Sequence, residues 1–359
     1  MATAMIRWTV LGLGAVAILA TLLPFLPSEE SWIRIWDFPR LQAIVLLLAA
    51  LVATPFTLSL RRVPGLLCMA ALAAALGWQL HHVWRYSPLH PIEARAVAQC
   101  NADARIGLFV ANVLAGTRDA APLLALIERI QPDLVLLVET EAWWHARLDP
   151  LRQAYPHRVE RPRENGYGMH LYSRLPLVDT QVRHLVDDDV QSIKTGVVLP
   201  SGTRVDLYGL HPKPPPLEDT EQRDAELILV AAEIRAEGPP AIVAGDLNDV
   251  GWSRTTRRFQ AVSGMLDPRI GRGPYATFNA DWPLLRWPLD HVFFEESFWL
   301  RELAVLPDIG SDHFPLYVAL CHDPDAARRQ AKPQPDAEDL DAAKETIREG
   351  REAESQDAD

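Results

Sequence analysis

AIVAGDLND, Ala241 to Asp249, is an apolar run of strand length that stops at two polar side chains, Asp246 and Asn248. The same device recurs along the chain. Asn112 ends LFVAN, Glu139 ends PDLVLLVE, and His211 follows LYGL. Asp290 opens the run DHVFF, and Asp312 with His313 stands just ahead of FPLYVAL. An apolar run that meets a carboxylate, amide or imidazole at its end delivers that group to the rim of a sheet. Several such rims brought together make a pocket of acidic and neutral hydrogen-bonding groups, the environment that a hard divalent cation and a phosphate ester require. Asp246 and Asn248 are two apart, so in an extended segment both face one side, where a carboxylate can take a proton from water beside a donating amide. Gly-Asp-x-Asn is also good Asx-turn chemistry, and Asp249 reads as a loop residue beyond it.

Working outward, strands are expected at Arg105 to Val113, Leu134 to Val138, Gly168 to Ser173, Gly196 to Leu199, Val205 to Leu210, Ala241 to Ala244, Val292 to Phe294 and Phe314 to Leu320. Helical spacing marks Ala120 to Ile130 and Glu218 to Ala236, the latter stopped by Gly238-Pro239-Pro240. Short mixed strands with helices between them predict an α/β fold of two sheets packed face to face, with helices outside. Cys-x-x-Cys, His-Glu-x-x-His, P-loop and Gly-x-Ser-x-Gly patterns are all absent from the sequence, which argues against a zinc site and against those nucleophile chemistries.

Asn112, Glu139, GMHLYSRLPL, LHP, GDLND, LDHVF and SDHFPL, in this order, resemble the endonuclease/exonuclease/phosphatase superfamily, whose founding fold is that of DNase I. The resemblance covers about Ala104 to Leu320. It implies a DNase-I-like two-layer sandwich and hydrolysis of phosphodiester or phosphomonoester bonds with Mg²⁺ or Mn²⁺. It also assigns roles. Glu139 is the principal metal ligand, with Asn112 beside it and Asp312 facing the metal region. Asp246 activates the attacking water, next to Asn248. His211 and His313 meet the phosphate, and Asp290 orients the His313 ring. His170 and His291 read as structural, and Tyr172 and Ser173 as supports of the rim. Substrate choice belongs to loops such as His157 to Gly166, His211 to Thr220 and Gly271 to Trp287. Nuclease, lipid-headgroup, inositol-phosphate and non-catalytic binding roles therefore stay open, and the partner is a phosphate ester, in nucleic acid or in a phospholipid or small molecule. No protein partner is inferable. Arg158, Arg161 and Arg163, with Arg254, Arg257 and Arg258, read either as a grip on nucleic acid or as solvated surface. Trp282, Leu284, Leu285 and Trp287 read as a lipid lip or as core.

Composition divides the 359 residues into three parts. In residues 1–100, three stretches (Trp8 to Ser28, Leu41 to Leu60, Val63 to Trp84) carry no Asp, Glu, Lys or Arg. Each is long enough to span the roughly 30 Å hydrocarbon core, so residues 1–100 read as a membrane anchor with its linker. The first stretch, with Arg7 as its basic flank, could be a cleaved signal peptide, but it ends without a small-x-small cleavage site and two more spans follow, which favours an uncleaved anchor. Pro55 lies inside the second. With the bacterial membrane-anchored branch of the superfamily as the implied context, the location is the inner membrane. Arg61 and Arg62 in the tight second turn point to the cytoplasmic side, which places everything after Arg85 outside the cytoplasm. The basic count on the two sides is tied, so local density decides. Residues 101–321 form the catalytic domain, with thirty-one acidic and twenty-two basic residues, a balance of −9 that argues mildly against tight duplex binding. Residues 322–359, with twelve acidic and six basic residues and few apolar ones, predict a disordered acidic tail in which Asp339 to Arg351 could form a transient helix. Of three cysteines, Cys100 precedes the first strand and Cys321 ends the last. In the resembled fold these strands are antiparallel neighbours, so the two sulfurs could fall within bonding range, and a bond would persist only outside a reducing compartment; the other reading is two unrelated buried thiols.

Overall fold

The computed structural model describes residues 2–26, 28–215, 220–238 and 240–357. Helix α1 (Ala2–Leu22), the short α2 (Ser31–Arg34), α3 (Arg40–Thr57) and α4 (Val63–Val83) form the amino-terminal part. Three of its segments, Trp8–Phe25, Arg40–Thr57 and Val63–Tyr86, are helical, long and apolar enough to cross a membrane. They pack side by side through Ala17, Leu47, Ala50, Leu72 and Ala75. Small residues let the backbones approach: a Cβ on Gly14 would lie 3.2 Å from Leu72. Pro55 falls in the last turn of α3, where the helix ends two residues later.

The next part alternates strands and helices. β1 (Arg105–Asn112), α5 (Ala121–Ile130), β2 (Leu134–Val138), α6 (Ala142–Arg147), α7 (Leu151–Ala154), β3 (His157–Arg161) and β4 (Met169–Ser173) come first. β5 (Leu177–Arg183), β6 (Ser192–Val198), β7 (Arg204–Leu210), α8 (Glu221–Glu237), β8 (Ala241–Asp246), α9 (Arg254–Ser263), β9 (Asp290–Phe294), β10 (Phe298–Val305), β11 (Leu316–His322) and α10 (Ala337–Asp357) follow. One sheet runs β10-β11-β1-β2-β4-β3 and the other β5-β6-β7-β8-β9. Both are mixed, with β1 parallel to β2 and β7 parallel to β8.

The period of two explains the layering. In β1, Ile106, Leu108 and Val110 face the second sheet, while Phe109 and Ala111 face α5. In β8, Ile242 and Ala244 enter the same inter-sheet core, while Val243 packs under α8. Both faces of the central strands are thus buried, and helices close the outside. The expected fold class is observed.

β1 and β11 are antiparallel, with Arg105 opposite Cys321. Cys100 and Cys321 form a disulfide with Cα atoms 5.9 Å apart. The edge strands β5 and β10 are not among the expected strands, and two further segments differ from the sequence reading. His157 to Gly166, taken as a loop, begins with β3, an edge strand whose polar side chains half face solvent. The tail does not stay disordered over its described length: α10 lies against α8, with Ala343 and Ile347 entering the core. Gly350 permits that approach, since a Cβ there would meet Ala225 at 2.3 Å. Residues 216–219 of the His211 to Thr220 loop, with Glu218 of the expected helix start, lie outside the described residues, as do Pro239 and the chain end 358–359.

Candidate active site

The topology gathers the polar strand ends at one rim. β1, β2, β7 and β8 run the same way within their parallel pairs, so Asn112, Glu139, His211 and Asp246 emerge together. β9 is antiparallel to β8 and starts where β8 stops, which sets Asp290 opposite Asp246. Asp312 and His313 arrive from the other sheet, just before β11.

Asn112 sits at the centre. Its Nδ2 donates to Glu139 Oε1 at 2.7 Å and to Asp246 Oδ2 at 3.0 Å, while its Oδ1 accepts from the Leu114 amide. It therefore positions two carboxylates rather than facing the cleft. Glu139 also accepts from the Ala115 amide, and its backbone is left-handed at φ 61°, a conformation that costs a non-glycine residue about 1 kcal/mol or more.

Asp246 Oδ1 accepts from the Asn248 amide at 3.0 Å. Asn248 has φ 51°, so GDLND closes as an Asx turn and does not run on as an extended segment. Both side chains still reach the cleft, but by the turn. Asn248 spends one amide hydrogen on the Pro212 carbonyl, and Arg223 holds the Asn248 carbonyl from α8. Asp249 turns inward to Ser253 and Thr256 at the start of α9.

His313 Nδ1 lies 2.8 Å from Asp290 Oδ2, and its Nε2 lies 3.5 Å from Asp246 Oδ2. Burial opposes charge on this ring, yet the Asp290 and Asp246 carboxylates and the Asp290 hydrogen bond outweigh it and raise the imidazole to about 10. Ser311 supports the turn, donating to the Asn112 carbonyl and accepting from the His313 amide. Phe278 packs on the His313 ring, with centroids 4.9 Å apart. His211 Nδ1 faces the Asp246 carbonyl at 3.2 Å, which leaves Nε2 on the side of Glu139, 3.9 Å away. Asp312 titrates above the usual carboxylate range, first because it is buried and further because Glu139 and Asp246 crowd it, although His313 pulls the other way.

These groups surround a cleft of about 470 Å³ lined by Glu139, His211, Asp246, Asn248, Asp312 and His313, with Asn112 and Asp290 one hydrogen bond behind. A larger groove, about 630 Å³, lies between β3 and β5 and contains none of them. The family's sequence profile matches residues 109–313, a span that runs from β1 to His313 and takes in every one of these residues. The chain belongs to the endonuclease/exonuclease/phosphatase family.

Solved structures of the same fold include D. rerio TDP2 complexed with single strand DNA product (18% identity, 61% of this chain and 99% of that one, TM-score 0.53). The human Nocturnin catalytic domain with bound sulfate anion (18%, 64% and 96%, TM-score 0.50) is similar too. So is an endonuclease/exonuclease/phosphatase from Beutenbergia cavernae (22%, 61% and 72%, TM-score 0.50). At these identities the likeness is one of fold. No curated protein matches the chain in sequence.

Hard oxygen donors fit a divalent cation. Glu139, Asp246 and Asp312 crowd one cleft whose lining, among the described residues, includes no Lys or Arg. Donor atoms of Asp246, Asp290 and His313 also lie within 4.8 Å of one another. A ring held charged is a donor and not a ligand, however, so the Glu139 and Asp312 side is the better cation position. His145, Glu160 and His170 are a second such group, but Arg152 already bonds Glu160 and His145. His291 is structural: it sits between Arg269 and the Asp249 carbonyl, and burial with the Arg269 charge lowers it to about 3.

The sequence reading did not find Tyr167, Arg223, Ser311, Ile35 or Phe38. Tyr167 lies tilted against His211 with centroids 5.8 Å apart, and no motif marks it. Ile35 and Phe38 line the cleft from the loop between the first two apolar helices.

Proposed function

We propose that the chain is a membrane-anchored, divalent-metal-dependent phosphoesterase. The observation that carries this reading is the convergence of Glu139, Asp246 and Asp312 on one cleft opposite His313, whose Nδ1 lies 2.8 Å from Asp290 Oδ2. Glu139 and Asp312 would hold Mg²⁺ or Mn²⁺, with Asn112 fixing the Glu139 carboxylate. When bound, the ion would polarise a phosphoryl oxygen and offset the charge of the carboxylates.

The chain's own groups supply the rest. Asp246 accepts a proton from the attacking water, and the Asn112 and Asn248 contacts hold its two oxygens in place. His313, oriented by Asp290, stabilises charge developing on the phosphate. His211 Nε2 faces the same space and meets the phosphate or the leaving oxygen. Attack by water in line with the leaving group needs no covalent enzyme intermediate.

In this account residues 1–100 anchor the protein in the membrane and residues 101–321 carry the chemistry. Arg61 and Arg62 lie at the end of the helices away from the domain, which supports a domain outside the cytoplasm. The Cys100–Cys321 disulfide supports the same side, since such a bond persists in oxidising compartments. The test is turnover by the full chain in detergent on p-nitrophenyl phosphate and bis-p-nitrophenyl phosphate, with Mg²⁺ or Mn²⁺ against a chelator. Metal-dependent release supports the reading. No release with either ester and either metal contradicts it.

A further inference from the structure

We infer that the ester hydrolysed at this site belongs to an amphiphile held in the bilayer, a lipid-tailed phosphate ester that enters the cleft from the membrane side. The inference rests on the hydrolytic reading and on the membrane anchoring proposed above.

The wall of the cleft is built partly by the anchor. Ile35 and Phe38, between the first two apolar helices, line it together with Phe278, Trp287 and Leu289. Phe38 and Trp287 meet edge to face with centroids 5.9 Å apart. The catalytic carboxylates therefore open onto an apolar surface continuous with the start of α3. That seam is fixed by buried polar bonds. Arg34 donates to Asp224 and Thr255 of the domain, Trp252 donates to the Asp37 carbonyl, and Arg40 joins Asp37 to Gln79 of α4.

A second feature sets the depth. Gln42, in the first turn of α3, donates to the Leu284 carbonyl at 3.0 Å and accepts from Trp287 Nε1. The loop over the cleft is thus tied to the end of a membrane helix. Its tip exposes Trp282 (63%), Leu284 (84%) and Leu285 (44%). Trp32 and Trp84 are exposed on the same domain-side ends of the helices, where a membrane–water interface favours indole rings. Three exposed apolar side chains at that height form a lip that dips into the interface.

Nucleic acid fits less well. The basic residues that could grip a backbone already have partners: Arg158 on Glu160, Arg161 on the Glu160 carbonyl, Arg163 on the Asp189 carbonyl, Arg254 on Glu29, Arg257 on the Ser253 carbonyl and Arg258 on Thr346. A polyanion would meet a domain of net negative charge with no Lys or Arg among the described cleft residues. In the reaction, the water oxygen bonds to phosphorus, the ester P–O bond breaks, and the departing oxygen takes the proton.

The test uses the full chain in phosphatidylcholine vesicles with Mg²⁺. Its bilayer substrates are phosphatidic acid and phosphatidylglycerol. Glycerol phosphate and glycerophosphoglycerol serve as their soluble counterparts, alongside a single-stranded oligonucleotide and the two nitrophenyl esters. A combined Trp282→Ser, Leu284→Ser, Leu285→Ser variant changes only exposed side chains outside the catalytic cluster. We expect it to lower kcat/KM on a vesicle lipid by on the order of 10-fold or more while nitrophenyl ester turnover stays within about 2-fold. Equal losses on both, soluble headgroups cut as fast as lipids, or faster cleavage of the oligonucleotide would each overturn the inference. Nitrophenyl ester turnover without lipid cleavage removes this inference alone. Absence of all turnover removes the hydrolytic reading, and the inference falls with it.

Discussion

Replacing Asp290 with Asn tests how the structure keeps His313 charged. The imidazole is raised to about 10 against an ordinary value near 6.5, a difference of at most about 5 kcal/mol, supplied first by Asp290 and Asp246 and further by Asp312. Asn retains the shape and an oxygen to accept from Nδ1, but removes the nearer charge at 2.8 Å. With burial still opposing charge and only Asp246 and Asp312 left to support it, His313 should then titrate at roughly 6.5 to 7.5. At pH 8.5 its charged fraction would fall from nearly complete to about 1–10%, so kcat/KM should drop about 10- to 100-fold. At pH 6 the loss should be only about 3-fold or less, because the ring is again protonated. The sign for stability agrees: a raised histidine stabilises the fold below its unfolded pKa, and that contribution is lost as pH rises through about 10. The assay is a pH–rate profile of wild type and Asp290→Asn on a nitrophenyl ester. An unmoved alkaline limb, with the same loss at both pH values, would refute the proposed role of the pair.

Glu139→Gln removes an anionic oxygen from the proposed cation position and should raise the Mg²⁺ concentration needed for half-maximal turnover; a metal titration unchanged from wild type would move the cation elsewhere. The Cys100–Cys321 bond closes a loop of 221 residues in sequence separation, for which the chain-entropy model gives roughly 5 kcal/mol. Non-reduced peptide mapping of the protein from native membranes should find it formed, and two free thiols would remove this support for an extracytoplasmic domain. His291 is buried and lowered to about 3, so the stability it contributes is present above about 6.5 and is lost as pH falls. Between pH 6.5 and 4.5 the urea-unfolding free energy of wild type should fall by about 2 kcal/mol more than that of His291→Gln, and parallel curves would contradict a neutral buried ring.

The rim of the site was legible because each polar group stands at one end of an apolar run, and such runs make buried strands. The strands that escaped notice are those at or next to the edges. β3 and β5 close the two sheets and leave much of their surface to water, so HRVER and LVDTQVR show no apolar run. β10 is an edge strand as well. The tail reads as disordered because α10 buries only a few apolar side chains, and its close seat on α8 depends on Gly350. Asn248 illustrates a local conflict. Its spacing from Asp246 suits a strand and a turn equally, and the Asp246 bond to the Asn248 amide selects the turn. The contribution of Ile35 and Phe38 is long-range, made by a loop more than two hundred residues from Asp246, and periodicity carries no such signal.

The central claim is that Asp246 drives water onto a phosphate ester in this cleft. It is tested most directly by turnover of Asp246→Asn beside wild type at saturating Mg²⁺, on whichever nitrophenyl ester the wild type cleaves. The substitution keeps the side-chain shape within a buried network, so circular dichroism of the variant should match wild type. The account predicts a loss on the order of 10²- to 10⁴-fold in kcat. A folded variant that turns over at the wild-type rate would contradict it.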